Sequence, residues 1–292
     1  LNYLSLTDIG GEPLNLAFTD TSKSYNNALN FLVVNDDNNI RGKIDLNAYK
    51  GLALISGPVT VNGVGQDNEV IDAGNGATFN LRNGGSSIVV AQGGSTINGG
   101  TGVDTVILSG TSSSGAHVTK DNNGVTHITM PSQGSTDLTG VERIQFTDGT
   151  LALDTGAGSA PNIASSLYSI LGREGDARGL GYWINELEAD SSSYNVRQQV
   201  ISVLFSSEFT NKFGPIVFMP FLDAVNLLYI NVLHRLPDAE GLAYWRSEFF
   251  RNSSKLGQFG AELDILTSIV LSKEAMGISA ADNADGLFYK PW

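Results

Sequence analysis

Gly99-Gly100-Thr101-Gly102-Val103-Asp104-Thr105-Val106-Ile107 is the stretch whose reading decides the fold. Its glycines precede one acidic residue and then an apolar, strand-forming ending. Glycine adopts positive φ at little cost, so the first half reads as a tight turn and the second as a short strand. The spacing continues outward. Stepping back from Val106 nine residues at a time reaches Ile97, Ile88, Phe79, Val70, Val61 and Leu52. All seven grid positions are apolar, among neighbours that are mostly Gly, Ser, Asn or Thr. Glycines keep the same interval at Gly84, Gly93 and Gly102, and again at Gly76, Gly85 and Gly94. Nine residues leave room for one turn and one strand. Units that share an inward residue stack into a parallel β-solenoid.

The quoted stretch fits G-G-x-G-x-D-x-U-x at every position. It resembles the calcium-binding nonapeptide of the repeats-in-toxin (RTX) family of secreted bacterial proteins. The resemblance implies a parallel β-roll with calcium between its turns, held by the Asp104 carboxylate and by main-chain oxygens of glycines such as Gly100 and Gly102. Asp67 and Asp72 lie near the grid but off its register, and complete the candidate calcium set. The carboxylate is missing from the preceding units, where the positions nine apart are Ser95, Ser86, Ala77 and Asn68. One or two calcium ions near Asp104 and a metal-free solenoid stand as alternatives.

After the roll, Ala116–Lys120 and Val125–Met130 flank Asp121-Asn122-Asn123-Gly124, which predicts a β-hairpin around the Asn-Gly step. The stretch from Leu138 to Thr150 resembles the ending seen after RTX repeats and is expected to cap the roll, hiding strand edges. His117 and His127 fall on the two hairpin strands, where they could face one another; without a third ligand they read as surface residues. Ahead of the roll, Leu14–Phe18, Leu29–Val34 and Leu52–Ile55 read as short strands. The Asn35–Asn39 run reads as a turn, with a cation site as the alternative.

The linker from Thr155 to Pro161 marks a change of composition. Beyond it, Ile163, Leu167, Ile170 and Leu171 have helical spacing, as do Val196, Val200, Val203 and Leu204. Leu171-Gly-Arg173-Glu-Gly-Asp176-Ala177-Arg-Gly179-Leu180-Gly-Tyr182-Trp183 aligns with Leu233-His-Arg235-Leu-Pro-Asp238-Ala239-Glu-Gly241-Leu242-Ala-Tyr244-Trp245, with eight of thirteen positions identical. Each copy resembles an uncharacterised helical module often appended to RTX-type proteins. Asp176 and Asp238 are expected to cap helices. Arg173 is expected to pair with Glu208, and Arg235 with Glu274. Trp183 and Trp245 read as packing aromatics, with a sugar-binding platform as the alternative.

The fold class expected is therefore multidomain β + α: an N-terminal β-rich region (1–56), a glycine-rich β-roll with a capping hairpin (57–154), and an all-α domain (155–292) with repeats at about 162–213 and 220–276. Net charge is −13, with 30 acidic and 17 basic residues, which argues against a nucleic-acid partner. The absence of cysteine excludes disulfides and thiolate chemistry. No apolar run reaches the length of a transmembrane segment. No H-E-x-x-H, G-x-S-x-G or phosphate-loop motif occurs, and no acid pair stands out, so no catalytic residue is assigned and no enzyme is expected. His234 reads as packing or surface.

The function expected is that of a secreted structural protein of the bacterial cell surface or matrix, a surface-layer, sheath or filament component that self-associates with calcium. Export by type I secretion follows from the RTX resemblance. The runner-up is an adhesin or lectin-like module that binds surface polysaccharide or another glycan. A polysaccharide-processing enzyme and a virion-surface protein are further alternatives.

Overall fold

The computed structural model describes residues 3–7, 15–17, 31–35, 42–65, 68–131 and 134–292, in two units, Leu1–Leu153 and Asp154–Trp292. The first is a parallel β-solenoid and the second is largely helical, a β + α layout.

The solenoid strands are β1 (Tyr3–Thr7), β2 (Asn15–Ala17), β3 (Phe31–Asn35), β4 (Lys43–Asp45), β5 (Leu52–Ser56), β6 (Thr60–Val64), β7 (Glu69–Asp72), β8 (Thr78–Leu81), β9 (Ser87–Val90), β10 (Thr96–Asn98) and β11 (Thr105–Leu108). Successive strands from β3 onward alternate between two sheets. One sheet runs β1-β3-β5-β7-β9-β11 and the other β10-β8-β6-β4-β2. A nine-residue step therefore crosses to the opposite sheet, and eighteen residues close a coil: Thr60 pairs with Thr78, Thr78 with Thr96, and Ser87 with Thr105.

Two inward stacks form the core. Leu32, Ala53, Val70, Ile88 and Val106 stack in one sheet, and Ile44, Val61, Phe79 and Ile97 in the other, none more than 1% exposed. Each of these side chains larger than alanine contributes about 1.5–3 kcal/mol of burial.

The first grid position needs correction. Ala53, not Leu52, points inward, because only seventeen residues separate Ala53 from its partner Val70. The separate region expected to end at residue 56 is also not separate among the described residues. Strands β1 to β5 belong to the same two ladders, since parallel pairing fixes strand register but leaves loop length free.

The far end is closed by five further strands, β12 (His117–Lys120), β13 (Thr126–Met130), β14 (Gly134–Thr139), β15 (Arg143–Gln145) and β16 (Thr150–Ala152). Strand β14 adds parallel to β10, and β13 and β12 follow antiparallel. Strand β15 adds to β11, with β16 antiparallel beside it. The hairpin turn is held by Asp121, whose Oδ1 accepts from Asn123 N (2.9 Å) and Val125 N (2.8 Å).

The second unit has helices α1 (Ala160–Ser169), α2 (Ala177–Ala189), α3 (Ser193–Leu204), α4 (Ser207–Phe213), α5 (Phe221–Leu233), α6 (Ala239–Val270) and α7 (Lys273–Asp282), then a short strand, β17 (Leu287–Tyr289), that the all-α expectation lacked. Serine caps α1, α3, α4 and α7, and aspartate caps α2 and α6. The long α6 breaks at Gly257 (φ 72°), where the first repeat separates α2 from α3. Each repeat is thus four helical segments.

Candidate functional site

Asp104 is fully buried beneath the turn it follows. Its Oδ1 accepts from Ser86 N and its Oδ2 from Gly100 N, both at 2.7 Å, so one carboxylate ties two successive coils. Its own N–H donates to Glu142 Oε2 at 2.8 Å, which joins the coil to the cap. The glycines serve close approach. A β-carbon on Gly100 would stand 2.5 Å from Arg82 O, and one on Gly102 (φ 101°) 2.5 Å from Gly85 N. Two amide N–H groups aimed at one carboxylate suit an anion. Each carboxylate oxygen accepts one of these bonds and keeps a second lone pair, but calcium takes about six to eight oxygen ligands and this side chain supplies at most about two of them. Among the described residues, no three His, Asp or Glu side chains gather in a metal-holding group.

Asp72 also lies inside. It takes the inward position between Ile55 and Val90, where every other described rung is aliphatic. Its Oδ1 accepts from Gly74 N (2.8 Å) and Ser95 Oγ (3.0 Å), while Oδ2 is buried without a hydrogen-bond partner. Burial raises its pKa to about 6, against the two hydrogen bonds that lower it. Two of the residues in phase with Asp104 act similarly, though Ala77 cannot: Asn68 bonds Gly63 O and Gly65 N (both 2.9 Å), and Ser86 Oγ bonds Arg82 O (3.2 Å). This buried row holds the turns. Asp67 and the Asp36–Asn39 turn lie outside the described residues.

The outer face of the second sheet carries two polar columns. Thr60, Thr78 and Thr96 form one. In the other, Asn80 Nδ2 donates to Asn62 Oδ1 (2.7 Å) and Asn98 Nδ2 to Asn80 Oδ1 (2.9 Å). The T-x-N triplet at eighteen-residue spacing was the available signal, hidden by the nine-residue grid.

The hairpin histidines do not face each other. His117 lies opposite Thr129 and His127 opposite Thr119. His127 instead sits between carboxylates, with Nδ1 2.7 Å from Asp137 Oδ1 and Nε2 3.8 Å from Asp121 Oδ2. The hydrogen bond to Asp137, then both negative charges, raises its pKa against some desolvation.

In the helical unit, Asp176 accepts from Gly179 N (2.9 Å) and Asp238 from Gly241 N (2.7 Å). Arg173 meets Glu208 through two bonds of 2.5 and 3.0 Å, and Arg235 meets Glu274 through two of 2.7 and 3.0 Å. The first guanidinium lies over Tyr168 at 4.6 Å and the second over Tyr229 at 5.1 Å. Trp183 and Trp245 are half-buried, and the Trp245 indole N–H donates to Tyr229 Oη (2.8 Å). Trp245 is thus committed to packing within its own repeat.

A cleft of about 760 Å³ lies between the repeats, lined by Ser165, Ser169, Asn231, His234, Asp282 and Asn283 among others. His234 holds left-handed backbone (φ 54°) at the end of α5, where the first repeat has Gly172 (φ 61°). These residues span more than a hundred positions, so no local pattern announced the cleft.

A family model described as "Domain of unknown function (DUF4214)" matches residues 200–255. That stretch runs from α3 into the first part of α6. No curated protein and no solved structure matches the chain.

Proposed function

We propose that this chain is a secreted, non-enzymatic structural protein of a bacterial cell surface or extracellular matrix, of RTX type, which self-associates. One observation carries the reading. Of the twelve large apolar side chains exposed among the described residues, eleven belong to the helical unit, including Phe218 (83%), Phe250 (74%) and Tyr194 (72%). This concentration of exposed apolar side chains in one unit supports a surface that another molecule covers. The solenoid, with its turns tied internally, suits a rigid spacer.

Calcium is the separable half of the proposal, because the Asp104 carboxylate already ties the coils through the Ser86 and Gly100 amides without an ion. Electron micrographs and particle sizing of the purified chain, with millimolar calcium and then with chelator, test both halves. Regular assemblies are expected with calcium. Assemblies that survive chelation keep self-association and remove calcium, whereas a monomer in both conditions sinks the structural reading.

The two columns of threonine and asparagine favour a second reading, an adhesin whose solenoid face meets a surface glycan. Retention of monomeric chain on a glycan array, lost in Thr78→Val/Asn80→Leu, is its expected signature.

A further inference from the structure

The cleft in the helical unit is set up by hydrogen bonds that its own lining makes. Asn231 Nδ2 donates to Ile170 O at 3.0 Å, which fixes the amide and leaves its Oδ1 with no donor among the described residues. Gly172 gives that oxygen room, since a β-carbon there would stand 3.1 Å from it. Asn283 uses both amide hydrogens, on Ser279 O at 2.7 Å and on Ser165 Oγ at 3.0 Å, so its Oδ1 likewise has no donor among the described residues. Ser165 Oγ accepts that bond and keeps its hydroxyl proton to give. Two amide acceptors and one hydroxyl are therefore oriented before any ligand arrives.

Charge narrows what fits. The Arg173 guanidinium lines the cleft, but Glu208 takes its fork. Glu174 and Asp282 line it with no ion-pair partner among the described residues. Helix α1 ends at Ser169 and α5 just before His234, and both residues line the cleft, so two negative helix ends lie at its wall. An anion is disfavoured on each count. An apolar ligand would leave the two amide oxygens unpaired. What fits is a neutral molecule rich in hydroxyls, with a less polar face for Leu180, Ile230 and Phe288. A pyranose ring has both, hydroxyls around its edge and C–H groups on its faces. The volume of about 760 Å³ falls within the usual range of small-molecule sites, roughly 300–1,000 Å³.

We propose that this cleft is a binding site for a neutral saccharide, in which Asn231 Oδ1 and Asn283 Oδ1 accept from ring hydroxyls and Ser165 Oγ donates to one. The site belongs to the helical unit. It depends neither on self-association nor on the threonine and asparagine columns of the solenoid.

Isothermal titration calorimetry of the full chain tests it, with maltose, cellobiose and lactose as neutral probes and glucuronic acid and glucose 6-phosphate as anionic ones. At least one neutral disaccharide should bind saturably, and the anionic sugars should bind roughly tenfold more weakly or worse. Ser165→Ala should weaken the neutral sugar about tenfold, as the loss of one hydrogen bond does. Ser169→Trp, at a half-exposed position of the lining, should abolish binding by filling the cleft. Thermal melts check that each variant folds. Ser165→Ala removes a single oxygen, so it keeps the test decisive even where Ser169→Trp folds poorly. No binding of any neutral probe, anionic sugars that bind as well, or a folded Ser169→Trp chain that binds like the wild type overturns the site. Unchanged affinity in Ser165→Ala overturns the role given to its hydroxyl. Binding lost in Thr78→Val/Asn80→Leu instead would place the sugar on the solenoid face, which overturns this site and leaves the glycan reading standing.

Discussion

The solenoid and the helical unit are both built from repeats, but position within the repeat means different things in each. In the solenoid, phase determines burial: Val61, Val70, Phe79, Ile88, Ile97 and Val106 occupy one phase and all are buried. In the helical unit it does not. Leu180 is 3% exposed, whereas Leu242, the same residue of the same motif, is half-exposed. Helix α2 also buries Gly181, Ile184 and Leu187, and the opening of α6 as far as Gly257 buries nothing. A coil is covered by its neighbours on both sides, so identical units see identical surroundings. Two helical repeats have no such guarantee. What covers each is set by distant chain, and the sequence follows: Ile184 corresponds to Arg246, and Gly181 to Ala243.

The sharpest break of this contrast would come from the solenoid core. Phe79 is fully buried between Val61 and Ile97. Phe79→Ala should cost about 3–5 kcal/mol of unfolding free energy, since the coils on either side cannot collapse into the void. Urea titration followed by circular dichroism measures it. A loss below about 1 kcal/mol would mean that phase does not set burial after all.

Asp72 is the one described place where the solenoid breaks its own inward row. Its folded pKa, about 6, lies above the ordinary 3.8, so between those values the folded chain holds a proton that the unfolded chain releases. Its contribution is therefore full below about pH 4 and lost as pH rises through 6, some 3 kcal/mol in all by order of magnitude. Asp72→Asn should remove that part of the pH dependence. Because other carboxyls and His127 titrate as well, the measured quantity is the difference between the two stability curves from pH 4 to 7. Parallel curves would show that Asp72 is charged in the folded state throughout.

Much of the solenoid was legible because each coil repeats a local environment, and a local rule can be read locally. It failed at Leu52, where a coil one residue short moved Ala53 into the inward place. Asp72, off the nine-residue grid, follows Val70 by two and so shares its inward direction, which the grid alone does not express. The alternation between sheets was invisible, because a nine-residue step gives phase and not the sheet. In the helical unit, the Asp-x-x-Gly spacing lies on the caps at Asp176 and Asp238. The cleft and the covered face of α2 were beyond reach. They join Ser165 to Asn283 and Gly181 to Lys290, contacts no short window contains.

A subtler test compares the same deletion in both repeats. Leu180→Ala should cost about 2–5 kcal/mol, the usual range for a fully buried leucine. Leu242→Ala should cost roughly half as much, because the half-exposed side chain has less surface to return to water. Thermal melts of the two variants side by side give the difference. Equal losses would mean that the second repeat is covered after all in solution, by another copy or by a partner.

The smallest effect bears on what the repeats share. Glu208 and Glu274 each receive an arginine fork, and the Glu208 and Glu274 carboxyls are held below their ordinary pKa chiefly by those hydrogen bonds. Both pairs are more than a third exposed, so solvent screening leaves each worth less than about 1 kcal/mol. Glu208→Gln and Glu274→Gln should therefore destabilise by similar small amounts, and both should fade at high salt. Similarity is the informative outcome. If local motif residues set the connection and distant chain sets the cover, the Arg–Glu fork should be indifferent to which repeat it serves, even though Leu180 and Leu242 are not. A fork that matters in one repeat alone would place the asymmetry inside the motif itself.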